Sequence, residues 1–216
     1  RGHGKSDSPE NGDYGWKAHA EDINGVVEGL GLDKPIVLGH SMGAMSALTY
    51  AALYPDSPRA ILLEDPSPQW EQPGRSPETI AERRQGFRDR ILSLKDKTRE
   101  EIIALQREAE PGWSDKELEP WADAKIHVNV AVADLLIRDK NNTMDWSSKL
   151  PAVSCPTLLI TAEVDRGAIV TLKAVEQVRS FIPHIQVESV ADAGHCIHRD
   201  EFDAYMDIVQ NFLADL

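Results

Sequence analysis

The chain has 216 residues, 41% hydrophobic and 27% charged, and 23 basic against 36 acidic side chains leave a formal charge of −13. That length suits one domain, or one domain with an insertion, and allows a proper core; the acidic balance argues against nucleic acid or an anionic membrane as partner, since both need clustered Lys and Arg. Two cysteines, Cys155 and Cys196, without a C-x-x-C pair exclude a disulfide scaffold and suit a reducing, cytoplasmic setting, and no apolar run nears the roughly 18 residues that span a bilayer.

The chain opens with "RGHGKS", whose G-K-S invites comparison with a phosphate-binding loop. Such a loop runs directly into a helix whose amides hold the phosphates. Here Asp7, Ser8, Pro9, Asn11, Gly12, Asp13 and Gly15 follow instead, a cluster of turn-formers. From Ala18 to Leu30 the apolar residues Ile23, Val26, Val27 and Leu30 recur at helical spacing, and Gly31 ends the pattern. "PIVLGH" (35–40) reads as a strand buried on both faces of a parallel sheet. The segment from Ser41 to Pro55 is small and apolar nearly all round, as in a helix packed tightly on such a sheet. "RAILLED" (59–65) is the next strand.

After Asp65 the pattern changes. Pro66, Pro68, Pro73, Gly74 and Pro77 punctuate a loop, and three helices are expected at 78–94, 98–110 and 123–139, with no strand between them. They read as an inserted helical cap. Strand and helix alternation resumes with "CPTLLITAE" (155–163), a helix at 169–182, a strand at 184–190 and a terminal amphipathic helix carrying Phe202, Tyr205, Met206, Val209, Phe212, Leu213 and Leu216. The order implies an α/β fold with a mostly parallel sheet. Core segments are expected at 1–67 and 149–216, with the cap at 68–148.

At the junction of the first strand and the small-residue helix, Gly39, Ser41 and Gly43 form G-x-S-x-G. A tight strand-to-helix turn strains its central residue and asks for nearly side-chain-free neighbours, which thrusts the serine hydroxyl out above the sheet. A serine between glycines arises by accident in many loops. The flanking strand and helix are the context that makes Ser41 a nucleophile, with the Met42 amide aimed at a developing oxyanion.

A serine needs a base, and the base needs an acid that holds its tautomer; in this architecture both follow the nucleophile. His195, in the glycine-bearing loop "ADAGHCIHRDEF" between the last strand and the last helix, is the expected base. His198 reads as a helix-start residue, His40 is turned elsewhere by alternation, and His3 belongs to the opening loop, where it could line the site. His195, Cys196 and His198 lack metal-ligand spacing, so no metal is expected. Two aspartates compete for the acid. Asp165, after the strand "TLLIT", is the first choice; Asp65, after "AILLE", is the alternative, and Glu163 comes third.

With "RGHGKS", "GHSMG", "TAEVD" and "AGHCIHRDEF" in this order, the chain resembles the α/β-hydrolase superfamily, in the branch whose helical cap is inserted after the strand following the nucleophile helix. The resemblance implies that "RGHGKS" is the loop after the fourth strand rather than a phosphate cradle. It also implies further strands before that loop, and a second oxyanion donor from the loop after the third strand, neither of which this sequence carries. "PIVLG" is then expected on an exposed hydrophobic edge, and the sequence reads as a fragment, inactive or insoluble in isolation.

The expected chemistry is cofactor-free hydrolysis of a small to medium hydrophobic ester, lactone or amide through an acyl-enzyme. Trp70, Trp113, Trp121 and Trp146 fall in or beside the cap, and Trp70 and Trp146 are the candidate substrate-binding residues; anchoring the cap's own core is the competing role for each. A carbon-carbon bond hydrolase or a perhydrolase would use the same triad, and a ligand receptor could use the same scaffold with little turnover. Serine at position 41 disfavours epoxide hydrolases and haloalkane dehalogenases, which carry aspartate there. The sequence leaves the oligomeric state open.

Overall fold

The computed structural model describes residues 1–9, 13–71, 76–130, 132 and 144–216, with the backbone alone at 77, 80, 83 and 84. Asn11, Gly12, Pro73, Gly74 and, within the helix expected at 123–139, residues 131 and 133–139 lie outside the described residues. Strands are β1 (Ile36–His40), β2 (Ala60–Glu64), β3 (Thr157–Thr161) and β4 (Gln186–Ser189). Helices are α1 (Trp16–Gly29), α2 (Met42–Leu53), α3 (Pro77–Lys95), α4 (Arg99–Ala109), α5 (Asp115–His127), α6 (Trp146–Lys149), α7 (Leu172–Phe181), α8 (Ile197–Asp200) and α9 (Phe202–Ala214). They fall into two compact units: Arg1–Gly15 with Arg75–Thr143, and Trp16–Gly74 with Met144–Leu216.

The second unit holds the sheet, four parallel strands in the order β1-β2-β3-β4. Alternation along the strands builds its two faces. Ile61, Leu63 and Leu159 face one core with Met45, Leu48 and Ala51 of α2 and Val175 and Val178 of α7, while Val37 and Val187 pack at its margins. Leu62, Leu158 and Ile160 face the other, against Tyr205, Val209 and Phe212 of α9. Burial on both faces explains why β2 and β3 read as unbroken apolar runs.

β1 differs from its first reading as a doubly buried strand. It is an edge strand, and Ile36 and Leu38 are 40% and 47% exposed, because the α9 core reaches only β2 and β3. The stripe expected on α1 divides as well: Val27 is buried beside Ala20 and Tyr50, whereas Val26 and Leu30 are exposed.

The first unit is helical. Ser76 caps α3 through its hydroxyl and Pro77 opens it; Thr98 and Glu101 form a reciprocal capping box on α4. Ile102 of α4 and Leu118 and Ala122 of α5 are fully buried. Arg99 bonds Asp123 at 2.7 Å and Arg107 bonds Asp115 at 2.5 Å, tying α4 to α5. α5 begins at Asp115 rather than Asp123 and runs through Pro120, whose missing N–H removes only one helical bond. Trp113 and Trp121 pack edge to face at 6.4 Å, with the Lys125 ammonium 5.1 Å over the Trp121 ring.

The boundaries expected for the cap shift at both ends. Trp70 and Trp146 belong to the α/β unit, since Trp70 is buried in its core and donates its indole N–H to the Ala174 carbonyl at 2.9 Å. The opening loop belongs to the helical unit, where the Gly2 carbonyl accepts from the Asn129 amide at 2.8 Å. Lys5 and Ser6 lie in a turn closed by the Ser6 amide on the His3 carbonyl, not at a helix start.

The sheet's asymmetry is testable by truncation. Leu159→Ala, at a fully buried site, is expected to lower unfolding free energy by about 2–5 kcal/mol in urea titration. In this 216-residue chain, Leu38→Ala, at a half-exposed site, is expected to cost less than Leu159→Ala does.

Candidate active site

Three chain crossings meet at the C-terminal ends of the strands. His40 and Glu64 are register partners on β1 and β2, so Ser41 and Asp65, one residue further along each strand, end up level with one another. The Ser41 amide donates to the Glu64 carbonyl at 2.8 Å, which extends the ladder to the turn itself. Ser41 sits at φ 55° and ψ −111°, a conformation that L-residues avoid and that turns its side chain out of the strand direction. Asp65 also has positive φ, at 37°.

The two glycines of G-x-S-x-G are not equivalent. A Cβ on Gly39 would overlap the backbone of Gly43 and Ala44, so the close approach of β1 to the first turn of α2 demands glycine there. A Cβ on Gly43 would meet nothing within 4 Å. Gly194 is constrained like Gly39, because its Cβ would overlap the Arg166 carbonyl. That contact sets the loop which delivers His195.

His195 joins the two strand ends. Its Nδ1–H donates to Asp65 Oδ2 at 2.6 Å, because an ionised carboxylate can only accept. Nε2 is then the acceptor, 3.0 Å from Ser41 Oγ, whose hydroxyl donates to it. Asp65 is completely buried and its oxygens take further donors from the Ile169 amide at 2.9 and 3.1 Å and the Val170 amide at 3.0 Å. A third of the His195 side chain is exposed. The arrangement is a buried anion, an imidazole fixed in one tautomer, and a hydroxyl under its free nitrogen.

The structure brings together Ser41 and His195 as expected and pairs them with Asp65 instead of Asp165. Asp165 is exposed in the 3-10 turn Val164–Arg166 beyond β3, and no hydrogen bond joins it to His195. Glu163 pairs with Arg166 at 2.8 Å. Asp65 directly follows β2, the strand paired with β1, and is buried level with Ser41, whereas Asp165 lies four residues past β3 in an exposed turn. Met42 is the first residue of α2, where helical amides have no intrahelical acceptor. Trp70 and Trp146, expected against substrate, are both buried in the sheet's core. His3 is exposed in the helical unit, its Nδ1–H donating to the Arg1 carbonyl at 3.0 Å.

A second polar cluster was missed in the sequence. Glu64 is 1% exposed, and its carboxylate accepts from the His198 amide at 3.1 Å and from His198 Nδ1–H at 2.8 Å. The Tyr205 hydroxyl also bonds Glu64, and burial together with that carboxylate pushes the phenol's pKa up. Burial acts to raise the Glu64 carboxyl, but the His198 hydrogen bond and the neighbouring His40 outweigh it and leave the group below its ordinary range. His40 is itself lowered, chiefly by burial, against the attraction of Glu64. Burial likewise raises the Cys196 thiol, despite Arg199. The available signal was the dipeptide Glu64-Asp65 closing a buried strand, since a second carboxylate there requires its own partner.

The chain belongs to the α/β-hydrolase fold family, whose model matches residues 1–202. It is 31% identical over 217 residues to the N-formylmaleamate deformylase of Pseudomonas putida, covering 99% of this chain and 76% of that protein. Over 71 residues, 33% of the chain and 25% of the relative, it is 44% identical to the 2-(acetamidomethylene)succinate hydrolase of Mesorhizobium japonicum. The crystal structure of an E-2-(acetamidomethylene)succinate hydrolase superposes with a TM-score of 0.79 at 23% identity, over 99% of this chain and 79% of that one, which shows the shared fold. These relatives are hydrolases. No helix among the described residues is long and apolar enough to cross a membrane.

Two tests follow from the local geometry. Gly39→Ala is expected to cost about 3 kcal/mol or more by forcing β1 off α2, and Gly43→Ala to stay within about 1 kcal/mol, both read by chemical denaturation. Because the Glu64 carboxyl is depressed on folding, it adds stability above the ordinary carboxylate range that is lost as pH falls through its folded value. Glu64→Gln is therefore expected to lose less unfolding free energy than wild type between neutral and acid pH.

Proposed function

We propose that the chain is a serine hydrolase of carboxylic acyl derivatives, acting on an ester, lactone or amide through Ser41, His195 and Asp65. One observation carries this reading: the continuous path of hydrogen bonds from a wholly buried Asp65 through His195 to the Ser41 hydroxyl. Ser41 Oγ attacks the substrate carbonyl carbon while His195 Nε2 takes the hydroxyl proton. The Asp65 carboxylate stabilises the imidazolium, and the negative charge developing on the carbonyl oxygen is met by the Met42 amide at the start of α2.

Collapse of the tetrahedral intermediate expels the alcohol or amine, which receives the proton from His195. A water molecule, deprotonated at the same nitrogen, then attacks the acyl-enzyme and releases the carboxylic acid, returning the proton to Ser41. The amide is favoured among the three classes by the names of the relatives, which carry an N-formyl and an acetamido group. With Trp70 and Trp146 committed to the core, those two rings lend no support to a hydrophobic acyl chain.

The test uses the full-length protein with an activated p-nitrophenyl ester. Ser41→Ala is expected to abolish the product burst, and Asp65→Asn to lower kcat by on the order of 10³–10⁴-fold. Asp165→Asn is expected to stay within about twofold of wild type. Equal slow turnover in wild type and Ser41→Ala would contradict the reading, and a larger loss from Asp165→Asn than from Asp65→Asn would overturn the choice of acid.

A further inference from the structure

The residue before the nucleophile touches the base directly. His40 Nε2 lies 2.8 Å from the backbone carbonyl oxygen of His195; a carbonyl can only accept, so His40 holds its proton on Nε2 and donates. Its ring stands 4.7 Å from the His195 ring on one side and 5.4 Å from the His198 ring, edge to face, on the other. His198 is fixed in turn by two bonds to the buried Glu64 carboxylate.

The rest of the loop is held from its N-terminal side. The Glu163 amide donates to the Ala193 carbonyl at 3.1 Å, and the Gly194 amide donates to Asp200 Oδ2 at 2.8 Å. Both bonds secure the main chain before residue 195. On the C-terminal side, the Cys196 carbonyl accepts the Arg199 and Asp200 amides at 2.8 and 3.0 Å, and the Glu64 bonds begin at His198. Between them, the His195 carbonyl bears the donor from His40, and this donor is covalently joined to Ser41. Asp65 holds the ring, and this second hydrogen bond ties the main chain of the base directly to the strand that carries Ser41, 154 positions away in sequence.

We infer that His40 is a positioning residue for the reaction: its Nε2–H clamps the main chain of His195 and keeps Nε2 of that imidazole under the Ser41 hydroxyl. The inference rests on the serine-hydrolase reading above. Misplacing a reacting group by about 1 Å costs roughly 10²-fold in rate, so losing the clamp should appear in the chemical step more than in substrate binding. A part that merely filled space would be replaceable by any side chain of similar size.

His40→Gln and His40→Met make the test, because both place an atom at the same distance along the side chain as Nε2 and only the glutamine carries a donor there. The reporters are covalent labelling of the full-length protein by a fluorophosphonate, kcat and KM on a p-nitrophenyl ester, and the thermal midpoint. His40→Met is expected to label and turn over roughly 10- to 100-fold more slowly with KM within about twofold, and His40→Gln to recover to within about threefold of wild type. Equal rates in the two variants, whether both fast or both slow, would overturn the clamp; comparing two folded variants of matched length removes general destabilisation as a cause. If wild type labels no faster than Ser41→Ala, the hydrolase reading itself fails. If wild-type labelling depends on Ser41 and the Met variant keeps pace with it, only the clamp fails.

Discussion

A carboxylate with no contact to water must find its hydrogen bonds inside the protein, and the site is arranged around that requirement at Asp65. Its two oxygens receive the amides of Ile169 and Val170 and the Nδ1–H of His195. Removing the imidazole would leave a buried charge short of a partner, a loss worth several kcal/mol. The demand for satisfaction thus fixes the tautomer of His195, and the tautomer fixes which nitrogen is left to accept from Ser41. In the proposed reaction, stability and chemical competence come from the same bond.

The site is doubled. Ser41, Asp65 and His195 each have a neighbour of related chemistry: His40 beside the serine, Glu64 beside the aspartate, and His198 three residues after the histidine. His40 and Glu64 are register partners, and Glu64 holds His198 as Asp65 holds His195. Adjacent acids on a buried strand end cannot share one counter-group without repulsion, and strand alternation gives each its own imidazole. The outer set, with Tyr205 against Glu64, forms a polar support behind the reactive one.

Much of this was legible in the amino-acid sequence, for local reasons. Unbroken Ile and Leu runs mark β2 and β3 because both faces are buried, and G-x-S-x-G marks Ser41 because Gly39 has no room for a Cβ. His195 was legible because a glycine-bearing loop after the last strand is where a base can reach a strand end. The acid was harder. Asp65 and Asp165 both follow a strand, and only the pairing of β2 with β1 separates them, which is a property of strand order that no local pattern carries. The tryptophans misled because a large ring in a loop serves a core as well as a ligand; Trp70 is settled by its bond to the Ala174 carbonyl, 104 positions away. The Glu64 and His198 pair escaped notice for the same reason, being 134 positions apart.

The central claim is that Asp65, and not Asp165, holds the Nδ1 proton of His195. Proton NMR of the full-length protein measures this directly, as a far-downfield imidazole N–H resonance correlated to the Nδ1 of His195. The account predicts that Asp65→Asn shifts it sharply upfield or abolishes it, while Asp165→Asn leaves it in place. A resonance unmoved by Asp65→Asn and lost in Asp165→Asn would contradict the account.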